Sequence, residues 1–194
     1  MVNINLFGGP GIGKSTIASG LFYNMKLNDY YVEYVQEYAK ELTFGKDMVK
    51  LSDQLLVLGE QHHRVHRLKN QVDYIIHDSP FIMGLCYLLD DEHLPKEEYK
   101  NLIVKMFHTY ENVNIFLNRN ENRDYQNYGR RENIAEARIK DDEIYDMLVQ
   151  NNIPFYNINV NDKTVEKIME ILRKHENIWW NKEIKYTRRT NIFW

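Results

Sequence analysis

The sequence predicts a three-layer α/β fold, with one five-stranded parallel sheet covered by helices on both faces. Three observations carry that prediction. Short β-branched and aromatic runs alternate with longer segments whose apolar residues recur at helical spacing, the pattern of repeated strand-helix units. The first unit is joined by the glycine-rich stretch Gly8-Gly9-Pro10-Gly11-Ile12-Gly13-Lys14-Ser15, a spacing that gains meaning only between a strand and a helix. No Pro/Gly/Ser-rich linker divides the 194 residues, which at 43% hydrophobic and 27% charged suffice for one substantial core.

In chain order, Val2–Phe7 is a short apolar strand and Lys14–Leu27 a helix. Asn28-Asp29 breaks the pattern, and Tyr30–Val35 supplies the second strand, with Glu37 just beyond its end. Tyr38–Leu42 and a break at Gly45 precede a long helix expected from about Ser52 to Asn70, with Ser52 as its N-cap. Val72–Asp78 is a third strand that ends in a carboxylate. Helices are expected over Phe81–Leu89, Lys96–Tyr110, Ala135–Gln150 and Val165–His175, and strands over Val113–Leu117 and Phe155–Ile158. In a parallel sheet of this kind ligands sit outside the carboxyl ends of the strands.

The spacing G-x-x-x-x-G-K-S of Gly8–Ser15 has a physical reading. Glycines let consecutive backbone N–H groups curl around a phosphate while the following helix presents its positive end. A side chain at Gly11 or Gly13 would clash. Lys14 reaches the β- and γ-phosphates of ATP as a point charge, and the Ser15 hydroxyl joins the shell of a Mg²⁺ ion. Gly8, Gly9, Gly11, Ile12, Gly13, Lys14, Ser15 and Thr16 are therefore the expected nucleotide-binding residues. Asp78, closing an apolar strand, is the expected second metal ligand beside Ser15, against an alternative role as N-cap of the segment starting at Phe81. Glu37 lies on the rim where an acceptor would sit, as a base toward a substrate hydroxyl or a ribose ligand, or as an ordinary exposed glutamate. Arg130, Arg131 and Arg138 follow the polar run Arg119–Tyr125. They suit an arginine-bearing lid over about 119–138 that neutralises charge on a transferred phosphoryl group, against the alternative of a solvated charge run.

Other features bound the function. A net charge of −3 argues against wholesale nucleic-acid binding, and the single Cys86 excludes an intramolecular disulfide framework and suits a reducing cytoplasm. The first strand begins almost at once, which leaves no room for a signal peptide, and no apolar run has the length of a membrane span. His62, His63 and His66 include an i,i+4 pair suited to a metal, yet no carboxylate or Cys completes a set, so they read as a solvated face. Tyr30, Tyr31, Tyr34 and Tyr38 read as strand and rim packing. The aromatic and basic stretch 176–194 reads as an extension that packs on the core or a second subunit, or alternatively grips single-stranded nucleic acid.

Gly8–Ser15, Glu33–Glu37 running into Tyr38–Leu42, Asp78-Ser79, and Gly129-Arg130-Arg131 with Arg138 together resemble a P-loop kinase group. That group includes the ribosylnicotinamide kinase domains of NAD salvage, their phage-encoded relatives and, more distantly, deoxynucleoside kinases. The resemblance covers about residues 1–175. It implies the sheet order of nucleoside monophosphate kinases, ATP and Mg²⁺ at the P-loop, the acidic residue after strand two facing the acceptor, and a closing arginine lid. Asp78-Ser79 departs from the Asp/Glu-Arg often seen in deoxynucleoside kinases, and no adenylyltransferase domain accompanies the chain.

The expected activity is therefore ATP- and Mg²⁺-dependent phosphoryl transfer, in the cytoplasm, to a nucleoside, nucleotide or similar small acceptor such as ribosylnicotinamide. Two other classes stand beside it. One is a kinase acting on a hydroxyl in polymeric or modified DNA, with the basic tail as grip. The other is a non-kinase P-loop ATPase or switch module.

Overall fold

The structure is a computed structural model and describes residues 1–88, 93–120 and 133–180, with side chains through 175. Five strands form one sheet: β1 (Val2–Phe7), β2 (Val32–Val35), β3 (Tyr74–His77), β4 (Glu111–Asn118) and β5 (Tyr156–Asn159). Their order is β2-β3-β1-β4-β5 and every pairing is parallel. The helices are α1 (Lys14–Leu27), α2 (Tyr38–Phe44), α3 (Met48–Ser52), α4 (Gln54–His66), α5 (Lys96–His108), α6 (Ile134–Gln150) and α7 (Thr164–Trp180).

Alternation along β1 assigns the two faces of the sheet. Ile4 and Leu6 point to one side, where Ile17, Ala18, Leu21 and Met25 of α1 and Ile168, Met169 and Leu172 of α7 bury them. Phe7 points to the other, into a cluster with Leu58 of α4, Ile103 and Phe107 of α5, and Ile144 and Leu148 of α6. Fully burying one such side chain is worth roughly 1.5–3 kcal/mol, so the central strand, covered on both sides, anchors the loop that leaves its end. On the second face the Asn5 amide donates to Asn112 Oδ1 and Asn114 Oδ1, both at 2.9 Å, which satisfies polar groups the sheet would otherwise strand.

Several boundaries differ from the sequence reading. The helix expected from Ser52 to Asn70 is α4, shortened to Gln54–His66, and Ser52 instead ends α3 before it. Asp53 takes an extended backbone between them and its carboxylate accepts from the Leu56 N–H at 3.0 Å, so Asp53, not Ser52, is the cap of α4. The second strand starts at Val32 rather than Tyr30, because this edge strand pairs only from Val32 opposite Tyr74. Phe81–Cys86 is a 3₁₀ turn, with the Met83 N–H bonded to Pro80 O and Gly84 inside it. β4 extends to Glu111 and Asn118 through its register with β1 and β5. The closing helix continues past 175 to Trp180, and residues 181–194 lie outside the described residues. No helix among the described residues is long and apolar enough to cross a membrane.

Strand order places the site. β1 lies between β3 and β4, and β2 flanks β3, so the loop after β1, Asp78 after β3 and Glu37 after β2 meet at one carboxyl edge.

Candidate active site

The loop between β1 and α1 depends on backbone conformations that side chains disfavour. Gly8, Gly11 and Gly13 have φ of 141°, 82° and 102°. At Gly13, the left-handed N-cap of α1, an added Cβ would meet no protein atom within 4 Å. The expected clash therefore does not arise within the protein there, and the restraint on Gly13 is conformational. Steric restraint falls on Gly9 instead, where a Cβ would lie 2.6 Å from both Ala137 O and Asp141 Oδ1. That contact reflects a brace: the Gly9 N–H donates to Asp141 Oδ1 at 2.6 Å, Arg119 Nε donates to Asp141 Oδ2 at 2.9 Å, and Arg119 Nη2 donates to Pro10 O at 2.9 Å. The pair is mostly withdrawn from solvent, with side-chain exposures of 10% and 16%. It ties the first half of the loop to the end of β4 and to α6.

Lys14 lies over its own loop, its Nζ donating to Gly8 O at 2.7 Å and Gly9 O at 3.0 Å. Burial pulls its pKa down, and the carboxylates of Glu37, Asp78 and Asp141 oppose that shift. The ammonium therefore sits at the focus of three acids, placed to exchange loop carbonyls for phosphate oxygens.

Asp78 is 2% exposed. The 3₁₀ turn after it is preceded by Pro80 with no side-chain cap bond, so Asp78 is not the cap of the segment at Phe81. Its Oδ2 accepts from Tyr34 Oη at 2.6 Å, and its Oδ1 is buried without a hydrogen-bond partner. Burial and the Asp78 carboxylate raise the Tyr34 pKa, and the nearby Ser15 side chain opposes that rise. A buried carboxylate oxygen left unpaired beside a hydroxyl at a helix start is costly unless something positive joins it. The residues thus fit a hard divalent cation, with Ser15 and Asp78 as the groups that would hold it.

Glu37 occupies the N-cap position of α2 yet makes no capping bond. Its pKa is raised chiefly by burial and further by Asp78, against the pull of Lys14, Lys40 and Ser79. A cavity of about 490 Å³ opens beside it. Pro10, Gly11, Lys14, Ser15 and Thr16 of the loop and the start of α1 line it together with Glu37 and Ser79, the apolar Leu58, Phe81, Met83 and Tyr99, and Gln54 and Gln61. The Gln61 side chain is also structural: its Oε1 accepts from the Tyr38 N–H at 3.0 Å, fixing the start of α2 against α4.

A sequence profile described as an AAA domain matches residues 3–167. The chain belongs to that family. No curated protein matches it by sequence. Among solved structures, the thymidylate kinase from Ehrlichia chaffeensis is similar in fold, with a TM-score of 0.58 and 14% identity over 89% of this chain and 98% of that one. The fold of this AAA domain is thus that of a P-loop nucleotide-kinase-like domain.

The remaining sequence candidates are distributed unevenly over this AAA domain. Arg130 and Arg131, with most of the expected lid, lie outside the described residues. Arg138 is exposed on α6 and does not line the cavity. Ile12 is buried and, like Gly8 and Gly9, supports the loop from behind, whereas Thr16 faces the cavity. The His62 and His66 rings lie 5.6 Å apart, and among the described residues no group of three or more His, Cys, Asp or Glu is arranged for a metal. Burial pushes the Cys86 thiol up to about 11, away from nucleophilic character. Three residues of the site were not read from the sequence in that role: Tyr34, taken as packing, and Arg119 and Asp141. A Tyr one residue from the end of β2 sits within reach of the next strand's terminus, which is the signal that was present for Tyr34. Asp141 is one acid in an acidic helix and carried none.

Proposed function

We propose that this AAA domain transfers the γ-phosphoryl group of ATP, with Mg²⁺, to a small acceptor: a nucleoside, a nucleotide or a relative such as ribosylnicotinamide. One observation carries the reading. One cavity of about 490 Å³ is lined both by the phosphate loop and Glu37 and by the apolar side chains of Leu58, Phe81, Met83 and Tyr99. Binding alone requires only the first part of that cavity, and an acceptor requires the second. The likeness to a nucleotide-kinase fold and the sequence resemblance to ribosylnicotinamide kinase domains both support it.

Each residue then has a defined task. The loop N–H groups and the start of α1 hold the phosphates, and Lys14 counters negative charge on the group in transit. Ser15 and Asp78 would hold Mg²⁺, which when bound neutralises phosphate oxygens. Glu37, unused as a cap and raised in basicity by burial, accepts the acceptor's hydroxyl proton as the oxygen bonds to phosphorus and ADP leaves. Where the acceptor is a nucleotide, Glu37 orients it instead. Phe81 and Tyr99 offer aromatic walls to a planar group.

The test is a screen of nucleosides, nucleotides, ribosylnicotinamide and oligonucleotides with labelled ATP, using Lys14→Ala as control. A labelled small-molecule product, reduced at least about a hundredfold in the Lys14→Ala protein, is expected. Label appearing only as free phosphate, or only in oligonucleotide, would overturn the proposal.

A further inference from the structure

The Tyr34 phenol reaches one of the two groups that would hold the cation. Tyr34 is on β2, opposite Ile76 of β3, so its ring reaches the end of β3 where Asp78 begins the next loop. The ring is half-buried against the core around α1, and the hydroxyl leaves that apolar surface to donate to Asp78 Oδ2 at 2.6 Å. One phenol on β2 therefore fixes a side chain at the end of the neighbouring strand. It occupies one oxygen of Asp78 and leaves the other, Oδ1, buried and unpaired.

Geometry of this kind has a definite consequence. A carboxylate rotates freely about its last torsion unless a partner holds one oxygen, and outer partners of metal-binding side chains commonly control affinity without touching the metal. We infer that Tyr34 is a positioning residue for the divalent cation, its phenol holding Asp78 Oδ2 so that Asp78 Oδ1 is held ready. The inference rests on reading Gly8–Ser15 and Asp78 as a metal-nucleotide site, and it adds a residue that the phosphate-loop motif does not contain. Packing alone does not require the hydroxyl, because a phenylalanine would fill the same half-buried space.

The experiment measures metal binding rather than turnover. Mn²⁺ binding to the full chain with ADP is followed by electron paramagnetic resonance, and ADP binding in EDTA by calorimetry, for wild type, Tyr34→Phe, Asp78→Asn and the double variant. Tyr34→Phe is expected to weaken Mn²⁺ about tenfold or more while metal-free ADP affinity stays the same. In the Asp78→Asn background the same change is expected to add less than about twofold, since its effect passes through Asp78. Tyr34→Met serves as a second apolar replacement should the phenylalanine variant fold poorly. Unchanged Mn²⁺ affinity, a parallel fall in ADP affinity without metal, or full additivity with Asp78→Asn would each overturn the inference. Failure of the wild type to bind ADP would overturn the underlying nucleotide-site reading instead.

Discussion

The phosphate end of the cavity comes from one unbroken stretch, Gly8–Ser15, whereas the acceptor end is assembled from α2, α3, α4, the 3₁₀ turn and α5, with Glu37 at the seam. The first end is set by backbone geometry: positive φ at Gly8, Gly11 and Gly13, and N–H groups that no side chain can replace. The second is set by which side chains the tertiary packing turns inward, here Leu58, Phe81, Met83 and Tyr99 beside Gln54 and Gln61. A loop of fixed spacing suits a ligand common to many proteins, and a composite wall can be re-tailored residue by residue to a particular acceptor. Acids at the junction couple the two, since Glu37 and Asp78 both act on Lys14.

Glu37→Gln tests the seam and should have the largest effect. Loss of the base is expected to lower kcat about 10²–10⁴-fold with little change in the KM for ATP. The wild-type rate should fall as pH drops through a Glu37 pKa displaced above the ordinary carboxylate range, and the variant should lack that limb. The stability sign is opposite to that of a salt-bridged acid. Because the folded protein binds the Glu37 proton more tightly than the unfolded chain, ionisation costs stability as pH rises from the unfolded pKa through the folded one. Glu37→Gln should therefore raise Tm at neutral pH, with the gain vanishing in acid. Equal Tm values across pH would show that Glu37 is not strained by burial.

Asp78→Asn probes the phosphate end. The side chain keeps its shape and its acceptor toward Tyr34 while losing charge, so the Mg²⁺ concentration for half-maximal rate should rise about tenfold or more. Overlaying Mg²⁺ titrations would sever Asp78 from the metal and leave the two ends of the cavity unconnected.

The smallest expected effect on turnover concerns the brace behind the loop. Asp141→Asn weakens a charge-assisted bond to the Gly9 N–H and leaves Arg119 without its carboxylate. A loss of roughly 1.5–3 kcal/mol in urea unfolding is expected. The KM for ATP should rise a few-fold and the preference among acceptors should not change, because the brace touches only the phosphate end. Altered acceptor preference would mean that the two ends are less separable than their construction suggests.

Legibility followed the same division. Gly8–Ser15, α1 and the five strands were evident because each is coded locally, by turn glycines or by β-branched runs. The Ser52 cap failed because Asp53, one residue on, offers a better acceptor for the same N–H groups, and cap choice is decided by backbone position. Tyr34 looked like packing because a tyrosine on a strand usually is, and only the neighbouring strand's terminus showed where its hydroxyl goes. Gln61 and Tyr99 had no signature at all, since inward-facing polar and aromatic residues on amphipathic helices match the core pattern.

By itself, the sequence determined the alternation of strands and helices and the glycine-rich loop between β1 and α1, and it offered two acids at strand ends as candidates for work there. Local spacing is sufficient for those features because each depends on a few adjacent dihedrals. The order β2-β3-β1-β4-β5 was decided by tertiary structure, and with it the meeting of Ser15, Tyr34 and Asp78, the Arg119–Asp141 brace, and the apolar compartment beside Glu37. Those contacts join residues as far apart in the chain as Gly9 and Asp141, and their formation depends on burial across the whole sheet, which no local pattern encodes.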